Sequence, residues 1–470
     1  MMRRRQDLTI LSQKRLPDVP RRHLNPAARL ARRHHGVNGA RGAWTWTWTA
    51  LLLAILLLCT AQPSTAQGPG GDPPAAAQEP TGEPAAPRRA LRIGVLTALS
   101  GRDAWWGEAQ LRALRLGFDD LVRERSAPTS ALAPERLELV VRDSRSNPDA
   151  AALAAYALIH EEKVQAIIGP LLSDTAPTVF WEAVYGRTPI ITASATAEEL
   201  LEMYRPWAFR NTSLPNRAWR RLLPWWLRQH GVQRPVLWVE NDARTPFLRG
   251  LALRRQFSAL TGRRLADVRS LHAADFLEQD RLGAAAPELG AQRADGMIVI
   301  AFPHHAAMAV RALRRGGLRL PIFGDPSFSN PLFTEIGGES VDGVIFATDY
   351  WPERPFAPWQ DFRRRFAEPP LGSSSQRLAP PAAAVAAYDT LRILHDAARR
   401  GRIFAQPTLA AQRAALRDAL EQTTDFPGLM GRTSFGADGE ARKEVFLLTV
   451  RQGVIVPLEA GEDVREDVNR

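Results

Sequence analysis

The stretch Leu91-Arg-Ile-Gly-Val-Leu-Thr97, followed by Ala-Leu-Ser-Gly101, decides the fold. Leu91, Ile93 and Val95 alternate with the period of a strand, and Gly101 and Gly107 bracket the loop expected after it. Leu111, Leu114, Phe118 and Leu121 then recur at the spacing of one helix face. Strand, glycine loop and amphipathic helix in that order are the opening unit of an α/β layer structure.

Downstream, the same unit repeats in kind. Short apolar runs predict strands at Leu137–Val141, Val164–Gly169, Pro189–Ala193, Val236–Glu240, Met297–Phe302, Pro321–Gly324 and Val344–Thr348. Helical stretches separate most of them, among them Ala150–Glu161, Trp219–His230, Pro246–Leu260 and Ala306–Gly316. Apolar strands alternating with helices argue parallel sheets covered on both faces. The strands are too many for one sheet of ordinary size, so two α/β lobes with Rossmann-like parallel sheets are expected. Pro/Ser-rich residues 369–381 predict a loop, and Ala384–Ala398 a helix.

Upstream, the chain is of another kind. Residues 1–48 carry eleven Lys/Arg and two Asp, and residues 49–66 carry no charge. The net charge of +11 therefore leaves only +2 for residues 67–470, which removes the case for nucleic-acid binding. Residues 1–66 read as a basic leader followed by the apolar segment of a secretory signal, with cleavage expected before Gln67. An uncleaved anchor over residues 43–61 and lipidation at Cys59 are the alternatives, and all three place the folded part outside the cytoplasm. Residues 67–90, mostly Gly, Pro, Ala and Gln, predict a disordered linker. Cys59 is the only cysteine, so the exported part has neither a disulfide framework nor a Cys-ligated zinc site.

In open α/β sheets ligands bind beyond the carboxyl ends of the strands, so the residues following each strand are the candidates. Trp105-Trp106 follows the first strand and offers an apolar wall. Ser173 and Thr175 follow the third, and Ser194 and Thr196 the fourth; their hydroxyls can cap the next helix or bind a carboxylate beside its N-terminus. On the other half, Asp242 and Asp325 follow strands, where a buried carboxylate can pair with a ligand ammonium or simply cap a helix. Phe302-Pro-His304-His305 ends another strand; the adjacent histidines have no third ligand, so no metal is expected. No Gly-x-Ser-x-Gly elbow, Walker-type loop, His-Glu-x-x-His or Gly-x-Gly-x-x-Gly loop is present, and no spacing proposes a catalytic triad. The expectation is a binding protein, not an enzyme, with no catalytic residue and no cofactor.

The chain resembles the type I periplasmic binding protein family in its branched-chain amino-acid group. The pieces run in order over Leu91–Ile455: Ile93-Gly-Val-Leu-Thr97, Ser100-Gly101, Gly107-Glu108, Asp143 with Pro148, Val164 to Pro170, Ser173, Thr175, Ser194-Ala-Thr196, Phe209-Arg210, Gly317-Leu318, Tyr388-Asp389 and Asp438-Gly439. The resemblance implies two lobes joined by three crossovers, residues 91–211 with 349–440 and residues 212–348 with 441–470, closing on a ligand by hinge motion. It implies a ligand carboxylate on Ser173, Ser194 and Thr196, with Trp105 near the side chain. It further implies an ammonium held by Asp325, and Phe302 and His304 at an aromatic contact. Asp174 and the Phe302-Pro-His-His sequence depart from the family pattern. The implied role is a monomeric, periplasmic solute-binding protein that delivers an amino acid, amide or aromatic acid to an ABC importer permease. A sensory or scaffold ectodomain of the same fold, membrane-anchored, is the alternative.

Overall fold

The computed structural model describes residues 90–125, 136–197, 200–242, 244–368 and 379–459. The leader, Cys59, the 43–61 segment, the linker up to residue 89 and most of the 369–381 loop lie outside the described residues. Among the described residues no helix is long and apolar enough to cross a membrane.

Five strands form the first sheet: β1 (Ala90–Thr97), β2 (Arg136–Asp143), β3 (Ala166–Ile168), β4 (Ile190–Thr192) and β5 (Ala208–Arg210). All are parallel, in the order β2-β1-β3-β4-β5. Ile93, Val95, Ile167, Ile190 and Ile191 are fully shielded from solvent, because helices cover both faces. The helix Ala104–Arg125 lies on one face and packs against Ala382–Arg400.

The chain then leaves for a second sheet. Strands β6 (Pro235–Glu240), β7 (Asp267–Leu271), β8 (Gly296–Ile300), β9 (Ile322–Gly324) and β10 (Ile345–Thr348) are parallel. It returns through Asp349 to the helices Ala357–Ala367, Ala382–Arg400 and Leu409–Glu421, whose buried residues share a core with β1. A small antiparallel sheet follows: β11 (Phe426–Gly428), β12 (Gly431–Phe435) and β13 (Ala441–Lys443). The chain crosses a third time, and β14 (Phe446–Arg451) and β15 (Val454–Pro457) add antiparallel to the second sheet, whose order is β15-β14-β10-β9-β8-β6-β7.

The crossings are tied to one another. The Ser213 N–H and the Thr212 hydroxyl donate to the Asp349 carboxylate at 2.7 and 3.2 Å. Lys443 Nζ donates to Asn211 Oδ1 at 3.0 Å, and Asn211 Nδ2 donates to Thr390 Oγ1 at 2.9 Å.

Several boundaries differ from the sequence reading. Gly107 lies inside the helix Ala104–Arg125, not in the loop before it. The strand predicted to reach Phe302 stops at Ile300, because Pro303 has no N–H for the ladder and is placed at the first position of the helix Pro303–Arg315. His304 and His305 therefore belong to that helix. Strands β5 and β7 were not expected. The first is three residues long and contains Arg210; the second is an edge strand, with Val268 exposed and Asp267, Arg269 and Ser270 breaking the apolar pattern.

Candidate functional site

Strands β1, β3 and β4 of the first sheet and β8 and β9 of the second end at a common cleft. Its empty volume is about 1210 Å³ with the solvent at its mouth included. Leu171–Asp174 and Ala193, Ser194 and Thr196 line one side, directly after β3 and β4. Ala301–Pro303 and Pro326–Ser327 line the other, after β8 and β9. The helix Arg244–Thr261 contributes Thr245, Pro246 and Arg249, and the crossings contribute Thr212, Ser213 and Asp349. A largely apolar hollow with a few convergent polar groups is the usual form of a small-molecule site.

Of the eight residues expected at the site, Ser173, Ser194, Thr196 and Phe302 face this cleft. Ser173 Oγ accepts the Ala197 N–H at 3.3 Å, and Ser194 Oγ donates to the Leu171 carbonyl at 2.5 Å. These bonds join the loops after β3 and β4 into one rim. Neither serine caps a helix. Thr175 is buried behind the rim, donating to the Leu172 carbonyl at 3.0 Å. Trp105 is 39% exposed and stacks obliquely on Trp106, their centroids 4.8 Å apart. Trp106, one residue further along the helix, faces the cleft and meets the edge of Phe302 from the opposite side at 5.4 Å. His304 stacks on Phe302 at 6.1 Å without facing the cleft itself. Burial and the neighbouring His305 push its imidazole pKa down, against the pull of Glu240.

Asp325 is 1% exposed and does not face the cleft. Its Oδ1 accepts the Ser327 N–H at 2.8 Å and lies 2.5 Å from Arg249 Nη1. Arg249 Nη2 in turn donates to the Thr196 hydroxyl, so one guanidinium joins the rim of the first sheet to the second. Asp242 takes the second of its two expected roles. It is exposed, pairs with His272 Nδ1 at 2.6 Å and accepts the Ala273 N–H at a helix start. The mutual hydrogen bond holds the Asp242 carboxyl below its ordinary pKa and raises that of His272. Asp174 points to Arg102, 3.2 Å from Nη2, so its charge at the mouth is paired. His305 Nδ1 lies 3.0 Å from Glu240 Oε1, and the ring stacks on Phe276 at 5.0 Å. Among the described residues no three His, Cys, Asp or Glu side chains gather where a metal ion could sit.

Arg249 and Asp349 line the cleft and were not among the candidates. Of the pair Trp105-Trp106, offered together as an apolar wall, Trp106 is the one that faces the cleft, and only the helical phase separates their directions. Arg249 carried no signal, being one of many arginines in the chain.

The comparisons with known proteins agree with this geometry. The periplasmic binding protein family profile matches residues 90–454. No curated protein matches the sequence. Among solved structures, a leucine-binding protein from Thermotoga maritima superposes with a TM-score of 0.63 at 21% identity, covering 80% of this chain and 99% of its own. A branched-chain amino acid transporter substrate-binding protein from Streptococcus pneumoniae, in complex with isoleucine, gives a TM-score of 0.63 at 21% identity, covering 79% of this chain and 100% of its own. An ABC transporter solute-binding protein from R. palustris, in complex with benzoate, gives 0.61 at 20% identity, covering 78% and 95%. The two mostly parallel sheets meeting at a cleft and the match over residues 90–454 lead to one conclusion: the chain belongs to the periplasmic binding protein family.

Proposed function

We propose that the protein is an exported solute-binding protein that captures a small organic molecule in the cleft and delivers it to an ABC importer permease. The observation that carries this reading is the cleft itself: two sheets present their strand ends to one hollow, and only three crossings join them. In this reading the first lobe is residues 91–211 with 349–440, and the second is 212–348 with the C-terminal strands. Each has its own buried core, and closure about the crossings clamps the ligand. Ser173, Ser194 and Thr196 with the Trp106–Phe302 wall form the ligand surface. The chemistry is binding and release, with no bond made or broken in the ligand. The solved relatives bound to isoleucine and to benzoate support a small carboxylate as ligand.

A thermal-shift screen of the purified chain against amino acids, amides, urea and aromatic acids tests this. A ligand at about 100 times its Kd adds roughly 2.7 kcal/mol of stability, a clear rise in Tm. A sharp hit within one chemical class is the expected outcome. A cooperative melt unmoved by the whole panel counts against solute capture and favours a sensory or scaffold role.

A further inference from the structure

The charged groups around the cleft define the ligand more narrowly, on the solute-capture reading above. The carboxylate that a ligand ammonium would need beside β9 does not line the cleft: Asp325 is 1% exposed, its Oδ1 is held by Arg249 Nη1 at 2.5 Å and by the Ser327 N–H at 2.8 Å, and its Oδ2 is buried without a hydrogen-bond partner. The group that faces the cleft is Arg249, itself 9% exposed. Its Nη1 is on Asp325 and its Nη2 on Thr196, while Nε is buried without a hydrogen-bond partner. A guanidinium carries five N–H donors in a rigid fork that matches a carboxylate, and leaving donors unsatisfied in a buried site is costly. Arg102 at the mouth differs, since Asp103 at 3.0 Å and Asp174 at 3.2 Å already satisfy it. The walls beside Arg249 are apolar, with Trp106, Phe302, Leu171 and Pro246 among them.

We propose that the ligand is an apolar carboxylate without an ammonium group, an aromatic or branched-chain acid, and that Arg249 reads its carboxylate. Asp325 holds the guanidinium in position from behind, and the Thr196 hydroxyl holds it from the rim. An ammonium entering here meets a like charge, with Asp325 turned from the cleft behind the guanidinium, which rejects an amino acid of the same shape. Of the acids that line the cleft, Asp174 is paired with Arg102, and Asp349 takes the Ser213 N–H and the Thr212 hydroxyl on Oδ2 and serves the crossings.

The test is calorimetric titration of the full chain with benzoate, 3-methylpentanoate, isoleucine and isoleucinamide. The two acids are expected to bind, isoleucine at least tenfold more weakly, and isoleucinamide not at all. Arg249→Met combined with Asp325→Asn keeps the charge balance and is expected to weaken the better acid at least tenfold; if this double variant does not fold, Arg249→Lys, which keeps the charge and loses the fork, is read in its place with the same expected loss. Asp325→Asn alone is expected to leave isoleucine no weaker than in the native chain, whereas an ammonium-binding Asp325 loses isoleucine binding in that variant. Acid binding unchanged in the Arg249 variant overturns the inference, as does loss of isoleucine binding in Asp325→Asn. So does tighter binding of isoleucine or isoleucinamide than of the acids, which, if lost in Asp349→Asn, places an ammonium on Asp349 and leaves solute capture intact. Binding of neither acid also overturns it, and silence from all four compounds extends the failure to the function proposed above.

Discussion

Asp143 shows how much one carboxylate at a strand end can organise. It closes β2, and its oxygens accept the N–H groups of Leu99 and Arg145 at 2.8 Å, that of Ser100 at 3.2 Å, and the Ser100 hydroxyl at 2.6 Å. These bonds hold the loop after β1 in the shape that launches the helix carrying Trp106. Burial alone would raise the Asp143 pKa, but the Ser100 hydroxyl and the three backbone donors outweigh it and hold it below the usual carboxylate range. A depressed folded-state pKa contributes stability above the unfolded value near ~3.9, lost as pH falls through the folded value. Asp143→Asn is therefore expected to cost about 1–2 kcal/mol at pH 7. The gap to the native protein should narrow below about pH 4, as denaturant titrations at several pH values will read. An equal gap at pH 3 and pH 7 would remove the charge from the explanation. The hydroxyls of the rim were legible because Ser and Thr immediately after apolar strands are conspicuous. That Thr175 turns away from the cleft while Ser173 faces it depends on the backbone between them, which composition does not carry.

At the scale of elements, the contact between the helix Ala104–Arg125 and the loop after β1 depends on a missing side chain. A Cβ on Gly107 would lie 1.7 Å from the Ala98 carbonyl oxygen and 2.5 Å from its carbon, both backbone atoms that cannot swing aside. The helix can thus approach the strand end closely, which brings Trp106 to the cleft. Gly107→Ala gains helix propensity but forces these elements apart, and about 1–3 kcal/mol of destabilisation is expected. The variant should also bind ligand more weakly, because Trp106 is displaced. A Tm equal to that of the native chain would show that the helix start moves freely. The parallel strands were legible because burial on both faces demands unbroken apolar runs. Strands β5 and β7 were not. Arg210 in β5 is fully buried, and its Nη2 donates to the Ala197 carbonyl at 3.0 Å, a partner supplied only by the fold. As an edge strand, β7 satisfies one ladder and leaves side chains to solvent, so its pattern carries little hydrophobic signal.

For the whole molecule, the two sheets touch across the cleft through few groups. Trp106 meets Phe302 edge to face at 5.4 Å, and Arg249 reaches Thr196. An edge-to-face aromatic pair contributes about 0.5–1.5 kcal/mol beyond its buried area, a bias of up to roughly tenfold between closed and open forms. Phe302→Ala is expected to shift the ligand-free protein toward an open form, with a larger radius of gyration in solution scattering that ligand reverses. A radius identical to that of the native protein, with and without ligand, would show that the aromatic contact does not hold the cleft. In the closure proposed above, the bonds joining Asn211, Ser213, Asp349 and Lys443 serve as the hinge, since they keep the crossings together.

Taken from the sequence alone, the α/β class, the parallel strands and the place of a cleft beyond their ends were all determined, because each follows from local periodicity and from the way open α/β sheets present their strand ends. So was the separation of a basic stretch, residues 1–48, from a nearly neutral remainder, which needs only the positions of the charges. Which charged side chain faces the cleft was decided by tertiary structure. Asp325 and Arg249 are far apart in the chain, and nothing in the neighbourhood of either signals the other. Only when β9 and the helix Arg244–Thr261 pack together does the acid become neutralised and the guanidinium turn toward the cleft. Pairing energy in a buried site depends on distances of a few ångströms, and no local pattern encodes distances between segments that distant in sequence.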